Sequence, residues 1–157
     1  MSLIIGTEYC TIDSNGRFKF PIALKKQIGS EDNRFVVRRS FDTDCLELWT
    51  YSSFQIEVER LQAKLNPYSK QDRIILRMLS MGNIIEMDGS DRLLIPAEQK
   101  ACIEGSKKIV LQPVGDYIEI WNYDKYQKMG DEVKDFGQMV NDRLGGEIDF
   151  SALKSDK

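Results

Sequence analysis

The sequence predicts an α+β fold in which two β-β-α-β-β halves arise by duplication and carry flanking helices. The first observation is the segment Asp-Ser-Asn-Gly-Arg at 13–17, which returns as Asp-Gly-Ser-Asp-Arg at 88–92. The second is a Leu-Glu-Leu-Trp run ending at Trp49, which returns as Ile-Glu-Ile-Trp ending at Trp121. Two landmarks that return in the same order and at nearly the same offset indicate an internal repeat.

The first half is predicted to open with a tight β-hairpin. A β-prone run at 7–12 leads to Asn15-Gly16, the strongest short hairpin signal, which turns the chain into a strand at 17–20. Pro21 then favours a helix start and Gly29 a helix stop. The half is completed by a strand pair at 35–39 and 45–49.

The second half repeats this order from Ile84, with a helix from Pro96 to Gly105 and strands at 108–112 and 117–121. A longer helix follows each half, and Ser52 with Gln55 is predicted to cap the first of them. Apolar residues at helical spacing mark the second, namely Tyr126, Met129, Val133, Phe136 and Val140. A further helix is expected over 70–81. The predicted organisation is repeat 1 over 6–52, a helical connector over 53–81, repeat 2 over 82–124, a C-terminal helix over 125–144 and a polar tail over 145–157.

Composition excludes several kinds of site. The 157 residues include no histidine, so a Ser-His or Cys-His dyad and a histidine metal ligand are both impossible. Cys10, Cys45 and Cys102 are odd in number and widely spaced, which favours a reducing cytoplasm over a disulfide framework. No apolar run approaches the roughly 18 residues of a membrane helix. We expect no catalytic residues, no metal, no cofactor and no membrane partner.

The first turn presents candidate DNA contacts. Side chains alternate along a strand, so Arg17 and Lys19 share one face while two phenylalanines share the other. A two-stranded ribbon fits the major groove of DNA, where arginine contacts phosphate or grips guanine. Asn15 and Gly16 shape the turn, and Asp13 is expected either to accept hydrogen bonds from the loop backbone or to fix the Arg17 guanidinium.

The second turn departs from the first at two positions. Asp91 replaces the turn glycine, and Leu94 replaces the outward lysine. The second turn is therefore expected to bind phosphate more weakly than the first.

The distribution of charge matters more than its total. A net charge of −3 at first argues against nucleic acid as a partner. Residues 1–40, however, hold seven Lys and Arg against four Asp and Glu, a net charge of +3, which leaves −6 for the remainder. A local cationic stripe can still bind double-stranded DNA, particularly when several copies engage together.

At these residues the chain resembles the MraZ transcriptional regulators, which are built from two fused AbrB-like modules. The resemblance covers roughly residues 6–144 and rests on the paired Asp-x-x-x-Arg turns, Asp13 with Arg17 and Asp88 with Arg92. The Leu-Glu-Leu-Trp and Ile-Glu-Ile-Trp strands that precede the long helices are also similar to that family.

The resemblance implies a swapped-hairpin (double-split) β-barrel whose halves interlock, with DNA-binding loops along one surface. It further implies homo-oligomeric rings that bind repeated promoter boxes upstream of the bacterial division and cell-wall gene cluster and repress it. Carried over by position, Arg17 and Arg92 are the main DNA contacts and Asp13 and Asp88 support them. Such a protein is expected to be cytoplasmic and nucleoid-associated.

Two alternatives stay open. Aspartates at equivalent positions of a duplicated β protein are reminiscent of an aspartic protease dyad. Asp13 and Asp88, however, lack the following Thr/Ser-Gly of such enzymes, and an arginine four residues on would lower both carboxyl pKa values. The other alternative is an AbrB-like module that mainly oligomerises or binds a protein, as antitoxin-type relatives do.

Overall fold

The computed structural model of the chain describes residues 3–29, 32–130 and 135–145. The strands are β1 (Glu8–Thr11), β2 (Arg17–Lys19), β3 (Arg34–Arg39), β4 (Leu46–Thr50), β5 (Asn83–Glu86), β6 (Arg92–Leu94), β7 (Lys108–Val114) and β8 (Tyr117–Asn122). The helices are α1 (Ile22–Ile28), α2 (Tyr51–Gln62), α3 (Lys70–Leu79), a 3₁₀ helix (Ala97–Ile103), α4 (Tyr123–Gly130) and α5 (Phe136–Leu144). The chain divides into two compact units, one ending at Tyr123 and one beginning at Asp124.

The strands of the first unit form two antiparallel sheets. One has the order β1-β7-β8-β4-β3-β5, and the other is a two-stranded ribbon of β2 and β6. Because β1 and β5 are the two edges of the larger sheet, that sheet is open, and the described part of the chain contains no closed barrel. The predicted α+β class is confirmed, with antiparallel sheets and helices in one chain.

Most strand ladders join the two predicted halves. Within a half, β3 pairs with β4 and β7 pairs with β8. Between halves, β1 pairs with β7, β2 with β6, β3 with β5 and β4 with β8. Neither half therefore completes a sheet on its own, and the hydrogen bonds of each depend on strands supplied by the other.

The predicted tight hairpin of β1 with β2 forms only at its turn. The Gly16 amide donates to the Asp13 carbonyl and the Asp13 amide to the Arg17 carbonyl, both at 3.0 Å, and one isolated bridge of Ile12 with Phe18 follows. A two-residue type I′ hairpin needs positive φ at both central residues, and Asn15 does not adopt it. The two strands accordingly separate, and each pairs with a strand of the second half.

The core lies between the ribbon, α1, the 3₁₀ helix and one face of the larger sheet. The ribbon and α1 contribute Phe18, Phe20, Leu24, Leu93 and Ile95, each at most 2% exposed. The larger sheet contributes alternate residues of its central strands, among them Leu46, Leu48, Ile109, Leu111 and Ile120. This alternation is the period-2 pattern of a strand, and the opposite face of the central strands is buried too, with Val36, Trp49 and Val110 at most 4% exposed.

Two helix predictions need correction. The predicted capping box at Ser52 is wrong because α2 already begins at Tyr51, and Thr50 is its cap, with a side-chain oxygen that accepts from the Ser53 amide at 3.2 Å. A single helix over 125–144 is also wrong, because the Asp135 side chain caps a new helix by accepting from the Gln138 amide at 3.0 Å. Val133 and the tail beyond Gly145 lie outside the described residues.

The remaining helix predictions agree with the structure closely. α1 follows Pro21 and ends at Gly29, whose φ of 78° suits glycine. The helix expected from Pro96 is a 3₁₀ helix, and the helix expected over 70–81 is α3. None of the described helices is long and apolar enough to cross a bilayer. The predicted repeat boundaries stay predictions.

The Glu-x-Trp runs on β4 and β8 have a structural role in both halves. Glutamate and tryptophan lie two apart on a strand and so share a face. The indole Nε1 of Trp49 donates to Glu47 Oε1 at 3.0 Å, and that of Trp121 donates to Glu119 Oε1 at 2.9 Å. Glu47 and Glu119 also stand directly opposite each other in the β4–β8 ladder. Like charges so placed destabilise a sheet unless a cation compensates them.

Arg38 supplies that cation. Its Nε donates to Glu47 Oε1 at 3.0 Å, and its NH1 donates to the carbonyl of Leu79 at the end of α3 at 3.3 Å. The guanidinium also lies over the rings of Phe41 and Phe54, at 4.6 and 5.2 Å from the centroids. Arg38 is 6% exposed, so it does not contribute to the cationic stripe expected from residues 1–40.

Replacing Arg38 with alanine is expected to lower the free energy of unfolding by about 3 kcal/mol, because it leaves the buried Glu47 carboxylate without its cation. Urea unfolding followed by circular dichroism measures this loss. Arg39→Ala is the matched control, because Arg39 is exposed on the same strand. Equal losses in the two variants would contradict the structural role of Arg38.

Candidate nucleic-acid interface

The β2–β6 ribbon brings the three predicted basic contacts together. In its register Arg17 stands opposite Leu94, and Lys19 stands opposite Arg92. All four residues are exposed, whereas the central pair of Phe18 and Leu93 is buried. Residues directly opposite in an antiparallel pair share a face. One outer face of the ribbon therefore carries three cations that belong to both halves of the chain.

Two further backbone hydrogen bonds lengthen the ribbon at its ends. The Ile95 amide donates to the Gly16 carbonyl at 2.8 Å, and the Phe20 amide donates to the Asp91 carbonyl at 2.7 Å. Each bond joins the strand of one half to the turn of the other. The position of each turn is therefore fixed by the opposite strand as well as by its own chain.

The two turns have the same internal hydrogen bonds. Asp13 Oδ1 accepts from the amides of Asn15 and Arg17, both at 2.9 Å. Asp88 Oδ1 accepts from the amides of Ser90 and Arg92, at 2.8 and 2.9 Å. Of the two roles expected for the aspartate, the structure favours the first, in which the carboxylate organises the loop backbone.

The arginine side chains are not engaged by these carboxylates. Within the part of the chain that the structure describes, no ion pair or side-chain hydrogen bond holds Arg17, Lys19 or Arg92. Oδ1 of each aspartate instead accepts from backbone amides of its own turn, as is typical of aspartate in tight turns. The cations of the outer face therefore remain available to an external anion.

The carboxyl pKa of each turn aspartate lies below its ordinary value. For Asp13 the main cause is the hydrogen bond from the Arg17 amide, with smaller contributions from Asn15 and from the Arg17 charge. For Asp88 the main cause is the hydrogen bond from the Arg92 amide. The charge of Arg17 lowers the Asp88 pKa too, so the two turns lie within electrostatic reach of each other. Two lowered values are the opposite of a dyad that shares one proton, in which one value is raised.

Two lysines beside the ribbon were missed by sequence reasoning. Lys25 on α1 contacts Asp91, with Nζ 2.5 Å from Oδ1, and Lys100 on the 3₁₀ helix donates to the Ser14 carbonyl at 3.4 Å. The two lysines are separated along the chain by the same offset as Asp13 and Asp88. That shared offset was the signal that would have paired them. Among the described residues no group of three or more Cys, Asp or Glu side chains is placed to hold a metal ion.

Comparison with known proteins places the chain in a family. A protein from Flavobacterium psychrophilum named "Transcriptional regulator MraZ" is 36% identical over 148 residues, covering 92% of this chain and 94% of the relative. The chain belongs to the MraZ family. Relatives of the same name from Christiangramia forsetii and Mycoplasmoides gallisepticum are 33% and 31% identical, over 96% and 82% of this chain and 97% and 88% of their own.

A family model supports the same membership. The model described as "MraZ protein, putative antitoxin-like" matches residues 78–143. That span contains the second turn and β5 to β8. The expected resemblance to MraZ regulators is therefore confirmed at the level of the family.

Gly16 is the position of the first turn that tolerates substitution least. Its φ is +91°, and a Cβ there would lie 2.8 Å from the Ile95 carbonyl oxygen and 2.8 Å from Lys100 Cε. Gly115 provides a comparison, because its φ is +70° but a Cβ would meet nothing within 4 Å. Alanine at either site would be strained by the positive φ, which costs about 1–2 kcal/mol of stability. Only at Gly16 does a backbone clash add to it.

Gly16→Ala is therefore expected to lower the free energy of unfolding more than Gly115→Ala does. Urea unfolding of both variants measures the difference. Equal losses of unfolding free energy would contradict the close approach of the first turn to Ile95 at the end of β6.

Titration of the turn aspartates is the second test of the interface. A carboxyl group whose folded pKa is lowered stabilises the folded state above its unfolded pKa of about 3.9, and the contribution is lost as pH falls through the lower folded value. NMR titration of the side-chain carboxyl carbons should therefore give midpoints below about 3.9 for Asp13 and Asp88. In Asp13→Asn the Asp88 midpoint should stay low, since the Arg92 amide chiefly sets it. An ordinary or raised midpoint at either residue would contradict the turn geometry.

Proposed function

We propose that this chain is a DNA-binding transcriptional regulator that recognises repeated promoter boxes through the outer face of the β2–β6 ribbon. By the family resemblance, it represses the bacterial division and cell-wall gene cluster. The observation that carries the proposal is the convergence of Arg17, Lys19 and Arg92 on one exposed face, built by strands from both halves of the chain. The name shared by the relatives, transcriptional regulator, supports the same conclusion.

The shape of the ribbon suits the major groove. That groove is about 12 Å wide and admits a two-stranded β-ribbon. The buried inner pair, Phe18 with Leu93, anchors the ribbon on the core, so the outer face is presented on a fixed support. Prepositioned side chains lose less conformational entropy on binding than those of a mobile loop.

Each residue of the interface has a distinct role in this proposal. Arg17 and Arg92 contact phosphates or guanine edges, and Lys19 adds a phosphate contact. Asp13 and Asp88 orient the turn backbone, because Oδ1 of each accepts from two amides of its own turn. Gly16 allows the first turn to approach the end of β6 closely, and the Asn15 amide is held by Asp13 Oδ1 within that turn.

Assembly would offset the small size of one ribbon. A protein with net charge −3 repels DNA at long range, and three cations make few contacts. Several copies in a homo-oligomeric ring, bound to repeated boxes, would turn later contacts into intramolecular ones and raise avidity. A cytoplasmic, nucleoid-associated location follows from this function.

The exchange of strands between halves supports kinship with the swapped-hairpin barrel. β1 and β5 each leave their own turn and pair with a strand of the other half. β2 and β6 likewise form their ladder with each other across the halves. We infer that the open sheet and the ribbon are the two parts of an AbrB-like interlocked fold.

A protein-binding role is the second candidate. The family description includes the words antitoxin-like, and the second helix of the connector carries exposed apolar side chains. Ile74, Ile75 and Met78 on α3 are 47%, 39% and 44% exposed. A chain that acted only through this apolar face would bind its partner with little dependence on salt. Binding through the ribbon instead requires a steep dependence on salt.

Gel shifts with the duplex DNA upstream of the chain's own gene, across a salt series, test the proposal. The logarithm of affinity should fall steeply with the logarithm of salt concentration. Arg17→Ala should weaken binding by about tenfold and reduce the salt slope by about 1. Arg92→Ala should weaken it less, because Arg92 directly follows the acidic Asp91 whereas Arg17 directly follows the uncharged Gly16.

Arg77→Ala is the matched control, because Arg77 is exposed on α3 and does not belong to the ribbon. Thermal unfolding should show that none of the three variants unfolds. Affinity that does not respond to salt, or an Arg17→Ala variant that binds as well as the parent, would overturn the DNA assignment and favour the protein-binding role.

A further inference from the structure

Two lysines occupy equivalent places beside the turns of the ribbon. Lys25 on α1 and Lys100 on the 3₁₀ helix stand at matching positions of the two repeats, and each reaches the turn of the opposite half. Lys25 Nζ lies 2.5 Å from Asp91 Oδ1, and Lys100 Nζ lies 3.4 Å from the Ser14 carbonyl oxygen. The fold therefore provides two matching ammonium groups, one for each turn.

The partners of the two ammonium groups differ in charge. Lys25 meets a carboxylate, with both side chains 32% exposed, so its charge is locally neutralised. Lys100 meets a backbone carbonyl, which carries no net charge, so its full positive charge is retained. The turn nearer Lys100 consequently presents a stronger positive potential than the turn nearer Lys25.

A single turn position causes this difference. At the fourth residue of the first turn, Gly16 leaves no room for a side chain, since a Cβ would clash with the Ile95 carbonyl. At the matching place in the second turn stands Asp91, the only described residue other than glycine with a positive φ, at 62°. Aspartate and asparagine are the L-residues that adopt this conformation most readily.

Asp91 lies where the edge of the outer face meets α1. Asp91 lines the same surface groove as Lys19, beside Pro21 and Ile22 at the start of α1. It also immediately precedes Arg92, whose side chain is exposed on the ribbon. Lys25 reaches Asp91 from a second groove, which Asp32 and Asp88 also line. Asp91 is thus common to the groove of Lys25 and the groove of Lys19.

We propose that Asp91 restrains DNA affinity by holding Lys25 away from phosphate, while the equivalent Lys100 is a fourth phosphate contact. This inference rests on the proposed DNA-binding function and deepens it, because it assigns unequal contributions to the two ends of the ribbon. A phosphate must displace the Asp91 carboxylate before it can bind Lys25. Asp91 acts through Lys25 and is a positioning residue.

The test is a double-mutant cycle in gel shifts with the duplex DNA upstream of the chain's own gene. Asp91→Asn keeps the side-chain shape and tolerates the positive φ, but it removes the charge that holds Lys25. It should raise DNA affinity and steepen the salt slope by about 0.9, the value of one added phosphate contact. Between 50 and 200 mM salt its advantage should therefore shrink about 3.5-fold.

Lysine variants separate the proposed mechanism from a general charge effect. In the Asp91→Asn background, Lys25→Ala should abolish the gain in DNA affinity. In the parent protein, Lys25→Ala should leave the salt slope unchanged. Lys100→Ala should reduce the slope of the parent by about 0.9. Asp116→Asn is the matched control, since it removes one negative charge in the β7–β8 turn, where no described residue forms an ion pair with it.

The outcomes distinguish this inference from the proposed function. If the parent shows no salt-dependent binding, the proposed function fails and this inference fails with it. If the parent binds as expected but Asp91→Asn does no better than Asp116→Asn, only this inference fails. The same holds if Lys25→Ala has equal effects on the slope with and without Asp91, or if Lys100→Ala leaves the slope of the parent unchanged.

Discussion

The pairing of Phe18 with Leu93 across the β2–β6 ribbon positions every residue that the proposed function uses. The two side chains are 2% and 0% exposed, and burying each contributes about 1.5–3 kcal/mol. Because side chains alternate along a strand, burial of this pair turns Arg17 and Lys19 outward on one strand and Arg92 outward on the other. The cationic face is thus a consequence of how the core closes.

Charge is divided between two tasks in this protein. Asp13 and Asp88 direct their oxygens to backbone amides, and Glu47 directs its own to Arg38 and Trp49. These carboxylates stabilise turns and sheet, so they do not pair with the cations of the ribbon. Asp91 is the exception, because it pairs with Lys25 at the edge of the ribbon. An acidic chain can in this way keep an exposed basic surface without large net positive charge.

Sequence reasoning succeeded where one strand or one turn decides the outcome. The alternation of Arg17, Phe18 and Lys19 gave the correct faces, and Gly29 marked the end of α1. It failed where the outcome depends on distant partners. Asn15-Gly16 suggested a local hairpin, but the chain pairs across the halves instead. The expected cap at Ser52 was wrong, since β4 continues through Thr50 and α2 follows it directly.

The sequence by itself determined the repeated turns, the outward cations, the absence of histidine chemistry and the likeness to the MraZ family. Only the tertiary structure decided which strands pair, that Arg38 is buried beneath α3, and that Lys25 and Lys100 reach opposite turns. The physical reason is the range of the forces involved. Strand faces and turn geometry depend on residues that are neighbours in the sequence. Apolar burial instead joins segments from opposite halves of the chain, and no local sequence pattern shows which two segments will pack together.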